Sequence, residues 1–434
     1  MIRTVEKGKT LLVDGPASVM VSSGSAEVFG ALIKQGYRVL IREGKRLPFY
    51  VEDTATFDVA SGESANIEEI EGNTVPASWV KSFEELAMSS AKPTTLMILG
   101  AVDSGKSSFC TYLTNRLLRE KKKIAIVDGD LGQSDIGPPC TVAYTFIIKP
   151  VTDLFNIETK NALFVGVTSP NMATSRVAES LVLLKNEASN HDPDFIIINT
   201  DGWVEGEDAV SFKAKLVEEL DPDMTFCIQQ KEELMSILKT LERRNKSVVD
   251  SPLAVRQRSQ ENRRSLRELG YIKYLKDAKV QSIPLGWLRI EDDEQFGIIR
   301  SIENIEKARK IYAFLGMKPL HLAEYQNKIT IVVGKSRWIE SESLSKIEEF
   351  AGKKAVVVRK GDEEGLLMAL YNSKKEFLGI GILQELDFRR KIMKILTPVP
   401  QGISVASIGK IKLDKNFREI PLSMEETQAT SLTK

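Results

Sequence analysis

Residues 100–108 read GAVDSGKSS, which satisfies the spacing G-x-x-x-x-G-K-[ST] in full. Glycines in such a loop let backbone N–H groups turn inward around phosphate oxygens, and a helix opening just after them adds a field that favours anions. Gly100, Asp103, Ser104, Gly105, Lys106, Ser107 and Ser108 are therefore the expected nucleotide cradle. Lys106 would reach the β- and γ-phosphates, and the Ser107 hydroxyl would face Mg²⁺. The apolar run TTLMILG before the loop and the amphipathic stretch after it supply the strand–loop–helix context that separates this motif from a chance match. Asp103 is the odd member, because a carboxylate beside phosphates should repel. It could face away from the nucleotide and hold a lid or the substrate side.

Two further clusters carry chemistry. IAIVDGDLGQSD puts Asp128 and Asp130 at the end of the next apolar run. In an open α/β sheet, ligands gather outside the carboxyl ends of the strands. One carboxylate there could position Mg²⁺, and the other could accept or orient the proton of an attacking hydroxyl. Asp130, further into the crevice, is the expected base, and Gln133 could orient a phosphate or a water. Arg256, Arg258, Arg263, Arg264 and Arg267 fall in one short stretch whose single acid is Glu261. Arg263 and Arg267 are four apart and would share a helix face. Guanidinium groups that close over a transferring phosphoryl group stabilise its equatorial oxygens. Trp203, on a glycine turn after DFIIIN, could be a stacking platform for a base, a contact worth roughly 1–3 kcal/mol.

Three segments must position these groups. Residues 1–88 are a succession of short strands punctuated by Gly, Ser and Asp, as in a sandwich or barrel. Residues 89–295 alternate apolar runs (TTLMILG, KIAIVD, ALFVG, DFIIIN, DMTFCI) with amphipathic stretches, which predicts a parallel sheet covered by helices on both faces. The arginine-rich lid, about residues 251–276, belongs to this segment. Residues 296–434 read as a mostly β domain with helices near 303–315 and 341–351, ending in a polar tail, SMEETQATSLTK, expected to fray. The expected fold class is multidomain α/β: a central P-loop NTPase-type parallel sheet between an all-β domain and a mostly β domain.

Composition narrows the class. Sixty basic residues balance sixty acidic ones in 434, so any nucleic-acid site must be a local basic patch. Three scattered cysteines (Cys110, Cys140, Cys227) and two distant histidines (His191, His321) argue against a zinc module or a disulfide scaffold. They fit a reducing, intracellular, cytoplasmic setting, nuclear only in a eukaryote. No secretory leader and no membrane-length apolar run is read, so no membrane association is expected. Neither an NKxD nor an LSGGQ motif occurs, which weakens GTPase and transporter-ATPase readings.

Taken in order, five stretches resemble the polynucleotide 5′-hydroxyl kinase family, whose members include kinases of pre-mRNA cleavage and pre-rRNA processing and archaeal single-chain relatives. GAVDSGKSS is similar to its phosphate loop, Asp103 included. VDGDLGQSDIGPP resembles its D-x-D-x-G-Q block, and VGVTSPN its clasp, with Thr168 and Asn171. INTDGW resembles its N-T-x-G-W block, and RSQENRRSLR its R-x-x-x-R lid at Arg263 and Arg267. The resemblance covers nearly the whole chain. It implies ATP and Mg²⁺ as cofactors, with Ser107, Asp130 and Thr168 at the metal. Lys106, Asp130, Arg263 and Arg267 would carry the reaction. Gln133, Thr168, Asn171, Trp203, Arg258 and Arg264 would hold the substrate, the lid arginines acting either on the transferring phosphate or on the RNA backbone. The expected activity is transfer of the ATP γ-phosphate to the 5′-hydroxyl of RNA, and by extension DNA. RNA-processing proteins are expected as further partners. The alternative is an ATP-binding scaffold in an RNA-processing complex with little catalysis.

Overall fold

The computed structural model describes residues 1–87, 93–254, 256–291 and 301–421. The expected domain boundaries at 88 and 295 and the polar tail from 423 lie outside the described residues. Chain contacts divide the protein into two compact units, Met1–Gly270 and Tyr271–Lys434.

The first unit opens with two antiparallel sheets around one apolar core. Four strands run in the order Ile2–Val5, Ala55–Ser61, Ala17–Ser23, Arg38–Ile41. Five run in the order Ala31–Lys34, Ser25–Val28, Arg46–Tyr50, Lys9–Asp14, Ile67–Glu71. Inward positions alternate along the strands, as in Ala55, Phe57 and Val59, which is the period a half-buried strand requires.

A seven-stranded sheet follows, in the order Asn161–Phe164, Thr141–Ile147, Ile124–Asp128, Phe195–Asn199, Thr94–Gly100, Met224–Gln229, Lys246–Asp250. The expected parallel sheet is mixed: Thr141–Ile147 runs antiparallel to both its neighbours, while the other pairings are parallel. Central strands are apolar throughout because both faces are covered. On one face Val177, Leu181, Leu184, Phe212, Leu216 and Ile237 from three helices pack over Met97, Val127, Ile198 and Cys227. On the other, Phe109 of the helix Lys106–Arg119 lies between Trp79 and Phe226, its ring 5.0 and 5.1 Å from theirs. The helix Gln260–Tyr274 carries the arginine-rich lid.

The second unit contains a β-sheet in the order Lys279–Pro284, Ile392–Thr397, Phe377–Asp387, Leu366–Tyr371, Val405–Leu413, Arg289–Glu291, with Glu419–Ile420 on Val405–Leu413. Strands 279–284 and 289–291 thus pair in this later sheet, although sequence rhythm assigned them to the kinase segment. Beside it sits a small α/β layer: strands His321–Glu324, Lys328–Val333 and Lys354–Arg359 with helices Ile305–Leu315 and Ser341–Ala351.

Candidate active site

A cavity of about 790 Å³ opens over the carboxyl ends of the central strands, within the first unit. Ala101, Val102, Asp103 and Gly105–Ser108 form its floor. Gly105 adopts φ +99° immediately before the helix, a left-handed turn that suits glycine. Lys106 is buried, and its ammonium donates to the carbonyls of Gly100 (2.9 Å) and Ala101 (2.7 Å). Burial pushes its pKa down to about 8, against the opposing influence of Asp130. Ser107 and Ser108 line the cavity, whereas Ser104 is buried, with its hydroxyl among the unpartnered atoms, and neither it nor Gly100 is on the wall.

The two aspartates of the second strand part company. The strand ends at Asp128, so the two-residue spacing no longer puts both carboxylates on one side. Asp128 turns inward. One oxygen accepts from the Asn199 amide at 3.1 Å and the other from Asp135 N at 2.9 Å, with Ser134 and Ile136 also in reach. Burial, then the nearby Asp130 and Asp135, raise its pKa to about 7. It braces the loop and is absent from the cavity wall. Asp130 faces the cavity. Its Oδ1 accepts from Gly132 N (3.1 Å) and Gln133 N (3.0 Å), while Oδ2 has no hydrogen bond from the described residues. Burial raises its pKa, and the Lys106 ammonium opposes the rise.

Asp103 does face the lid. Its side chain is 3% exposed, and its carboxylate accepts from Arg258 N (2.9 Å), the Arg258 guanidinium (3.2 Å) and the Arg263 guanidinium (3.1 Å). Gln133 also ties down the lid, donating to the Arg263 carbonyl at 2.8 Å. The geometry thus joins Asp103, Gln133, Arg258 and Arg263 in one clasp. Arg267 and Arg256 line the cavity too. Arg264 does not: it lies on the lid's outer side, 3.2 Å from Glu268 one helical turn on. Thr168 lines the cavity, but Asn171 is exposed in the short turn Pro170–Met172 and is off the wall.

Trp203 is half-buried on the cavity wall and rests on Phe212, ring centroids 5.9 Å apart. Gly202 is required by a close approach, since a Cβ there would lie 2.7 Å from Val102 N of the phosphate loop. The Trp203 backbone N–H donates to Asp201 Oδ1 (2.8 Å), and Asp201 Oδ2 accepts from the fully buried Lys213 at 2.7 Å. Sequence reading missed this pair. Its signal was a lysine on the apolar stripe Ala209, Phe212, Leu216, Leu220. Also missed was a seam on the β-domain side. Arg42 binds Asp135 and, at 2.7 Å, Asp153, and Lys45 is 3.1 Å from Asp135. Burial alone would raise Asp153, yet Lys45 and Arg42 hold it well below the usual carboxylate range.

Loop, sheet and crevice define a P-loop nucleotide-binding domain of the phosphotransferase type. Residues 100–277 match the family model for the P-loop of mRNA cleavage and polyadenylation factor CLP1. A polyribonucleotide 5′-hydroxyl-kinase of Methanocaldococcus jannaschii is 28% identical over 345 residues, covering 77% of this chain and 91% of the relative. One of Pyrococcus abyssi is 27% identical over 357 residues, covering 81% and 96%. The fold matches a solved Clp1p–Pcf11p complex with a TM-score of 0.67 at 13% identity, over 95% of this chain and 97% of that one. The chain is thus similar to archaeal polyribonucleotide 5′-hydroxyl-kinases over most of its length and to the CLP1 proteins over its phosphate-loop segment.

Proposed function

We propose that the protein is an ATP-dependent polyribonucleotide 5′-hydroxyl kinase. The observation that carries the reading is one cavity holding Lys106, the open Oδ2 of Asp130, the Trp203 ring and the lid arginines. Relatives bearing this activity in their names match over about four-fifths of the chain. The triphosphate would lie over Gly105–Ser108, with the Lys106 ammonium against the β- and γ-phosphates. The 5′-hydroxyl would sit beside Asp130, whose free oxygen takes its proton as the new P–O bond forms and the bond to ADP breaks. Trp203 would stack on the terminal base. Arg267 would close on the phosphates from the lid, with Arg263 and Arg258 held in place by Asp103.

The donors also suit Mg²⁺, which keeps several waters and needs only one or two carboxylates besides phosphate oxygens. Ser107 and Thr168 would hold it, with Asp130 reaching it through a water so that Oδ2 stays available to the hydroxyl proton; all three are on the cavity wall. When bound, it would spread the charge of the transferring phosphoryl group. No helix among the described residues is long and apolar enough to cross a membrane. DNA as a second acceptor and a protein partner belong to the same proposal.

The test is incubation with γ-labelled ATP, Mg²⁺ and matched 5′-hydroxyl RNA and DNA oligonucleotides. Label on the RNA 5′ end, lost in Lys106→Ala and Asp130→Asn, is the expected result. Tight ATP binding without label would overturn the kinase reading in favour of an ATP-holding scaffold.

A further inference from the structure

The small α/β layer of the second unit carries a feature that the kinase site does not use. Strands Lys328–Val333 and Lys354–Arg359 are parallel, joined by the helix Ser341–Ala351, and in register from Lys328↔Lys354 to Val333↔Arg359. Both therefore end on the same edge, where Lys360 N donates to the Val333 carbonyl at 2.9 Å. The segments leaving that edge are Gly334–Trp338 and Arg359–Gly361. Together they hold Lys335, Arg337, Arg359, Lys360 and Trp338, and no acid.

Trp338 is 83% exposed, and the Arg359 guanidinium lies over its ring, 4.8 Å from the centroid. Nearby acids are partly committed. The Asp362 carboxylate accepts from Arg359 N at 3.0 Å, and Glu385 is shared by Lys360 (3.2 Å) and Lys394 (2.8 Å). Glu340 and Glu364 are the exposed acids of the adjoining turns.

Single exposed apolar side chains are ordinary on a protein surface, Trp287 among them; what sets Trp338 apart is the guanidinium laid over its ring. The next residue, Ile339, packs against the core of the small layer, so Gly334–Trp338 presents Trp338 with no second apolar side chain beside it. Within these two segments its charged neighbours are cations, with Glu340 and Glu364 beyond their ends. One face meets a guanidinium and the other is open, the arrangement in which a nucleobase stacks while lysine and arginine meet the phosphates on either side. Carboxyl ends of parallel strands are also where open α/β layers place ligands.

We propose that Trp338 and Arg359, with Lys335 and Arg337, form a second single-stranded RNA site, separate from the cavity that holds the reacting end. The proposal rests on the RNA-kinase reading, which makes RNA this chain's substrate. The site would take one unpaired nucleotide without reading its identity, because every base has a π-face. Its effect would be on affinity for the polynucleotide, not on the phosphoryl transfer step.

The test uses the full chain and a 20-nucleotide single-stranded RNA labelled at its 3′ end, read by fluorescence anisotropy, with a blunt duplex as control. Trp338→Ala should weaken single-strand binding about tenfold, Arg359→Ala less, and Trp338→Phe should restore most of the loss. Duplex binding and kcat at saturating RNA should not change, and a thermal unfolding curve matching wild type would show that the exposed substitution leaves the fold intact. Superimposable single-strand isotherms for wild type and Trp338→Ala would overturn the site and assign the patch to a protein surface. Loss of the kinase reading would appear differently, as absent RNA labelling by wild type, while anisotropy still reports whether Trp338 contributes to binding.

Discussion

The cavity has two walls built by different means. One is carried by strand ends: Asp128 has both oxygens satisfied by donors, and Asp201 is locked between Lys213 and Trp203 N. Behind it lie apolar strands buried on both faces. The other wall is the lid, residues 256–270, which is rich in charge. It is held by Asp103 on two arginines, Gln133 on one carbonyl, and Leu266 against Gly44. The Asp103 carboxylate is itself buried, but its guanidinium partners are 21% and 30% exposed, so the lid's ties are open to solvent on one side, unlike the fully buried pair of the strand wall.

The largest test of that contrast is Asp130→Asn. It keeps the shape of the strand wall and removes its one open basic oxygen, so kcat should fall by about 10³ with ATP affinity retained, as the loss of a general base predicts. Radiolabel transfer and ATP titration check both halves. Next is Lys213→Met, which strands the Asp201 charge in the interior and should destabilise the protein by about 3–5 kcal/mol. Denaturant melts should show much of this returning in the double variant Asp201→Asn, Lys213→Met. If the single variant melts like wild type, the buried pair does not hold the strand wall.

A pH profile comes third. Lys106 is held down to about 8 by burial, so its positive charge is lost as pH rises through that value. Bound phosphates favour the charged form. KM for ATP should accordingly be flat below pH 8 and then climb toward tenfold per pH unit. A flat profile for a further unit would contradict the burial argument. Fourth, Asp103→Ala removes the lid's acidic anchor, and hydrogen exchange across 256–270 should accelerate by roughly tenfold while the strand wall is unaffected. The smallest effect belongs to Gln133→Ala, a few-fold change in the same lid amides, since it deletes a single hydrogen bond to the lid, worth about 1 kcal/mol.

The strand wall was partly legible and the lid wall only in outline, for different reasons. The phosphate loop, Asp130 and Trp203 announce themselves because backbone constraints tie them to strand ends at fixed offsets. Asp128 and Asp130 diverge because residues two apart share a side only while a strand lasts, and this one stops at Asp128. The lid's position showed as a run of arginines, but which of them face inward depends on the helix's rotation against Gly44 and Asp103, and no local spacing encodes that. Arg264 is turned away for this reason. Asp201–Lys213 and Arg42–Asp135 join residues 12 and 93 apart; the first shows only as a lysine on an apolar stripe with no partner indicated, and the second gives no local sign. The antiparallel direction of Thr141–Ile147 was likewise hidden, since an apolar run buried on both faces reads the same either way.

The seam at Arg42 and Lys45 bears on whether the β domain is a detachable module. Asp135 and Asp153 lie on the wall of the ATP cavity, and their countercharges come from the other side of the seam. Cutting the chain before the phosphate loop would leave two carboxylates facing a triphosphate that carries the same sign. Every residue of the nucleotide motif would remain, yet ATP would be repelled. The small domain thus acts as an electrostatic component of a nucleotide site whose sequence signature lies wholly outside it, and it could be exchanged between relatives only together with the strand loops it neutralises.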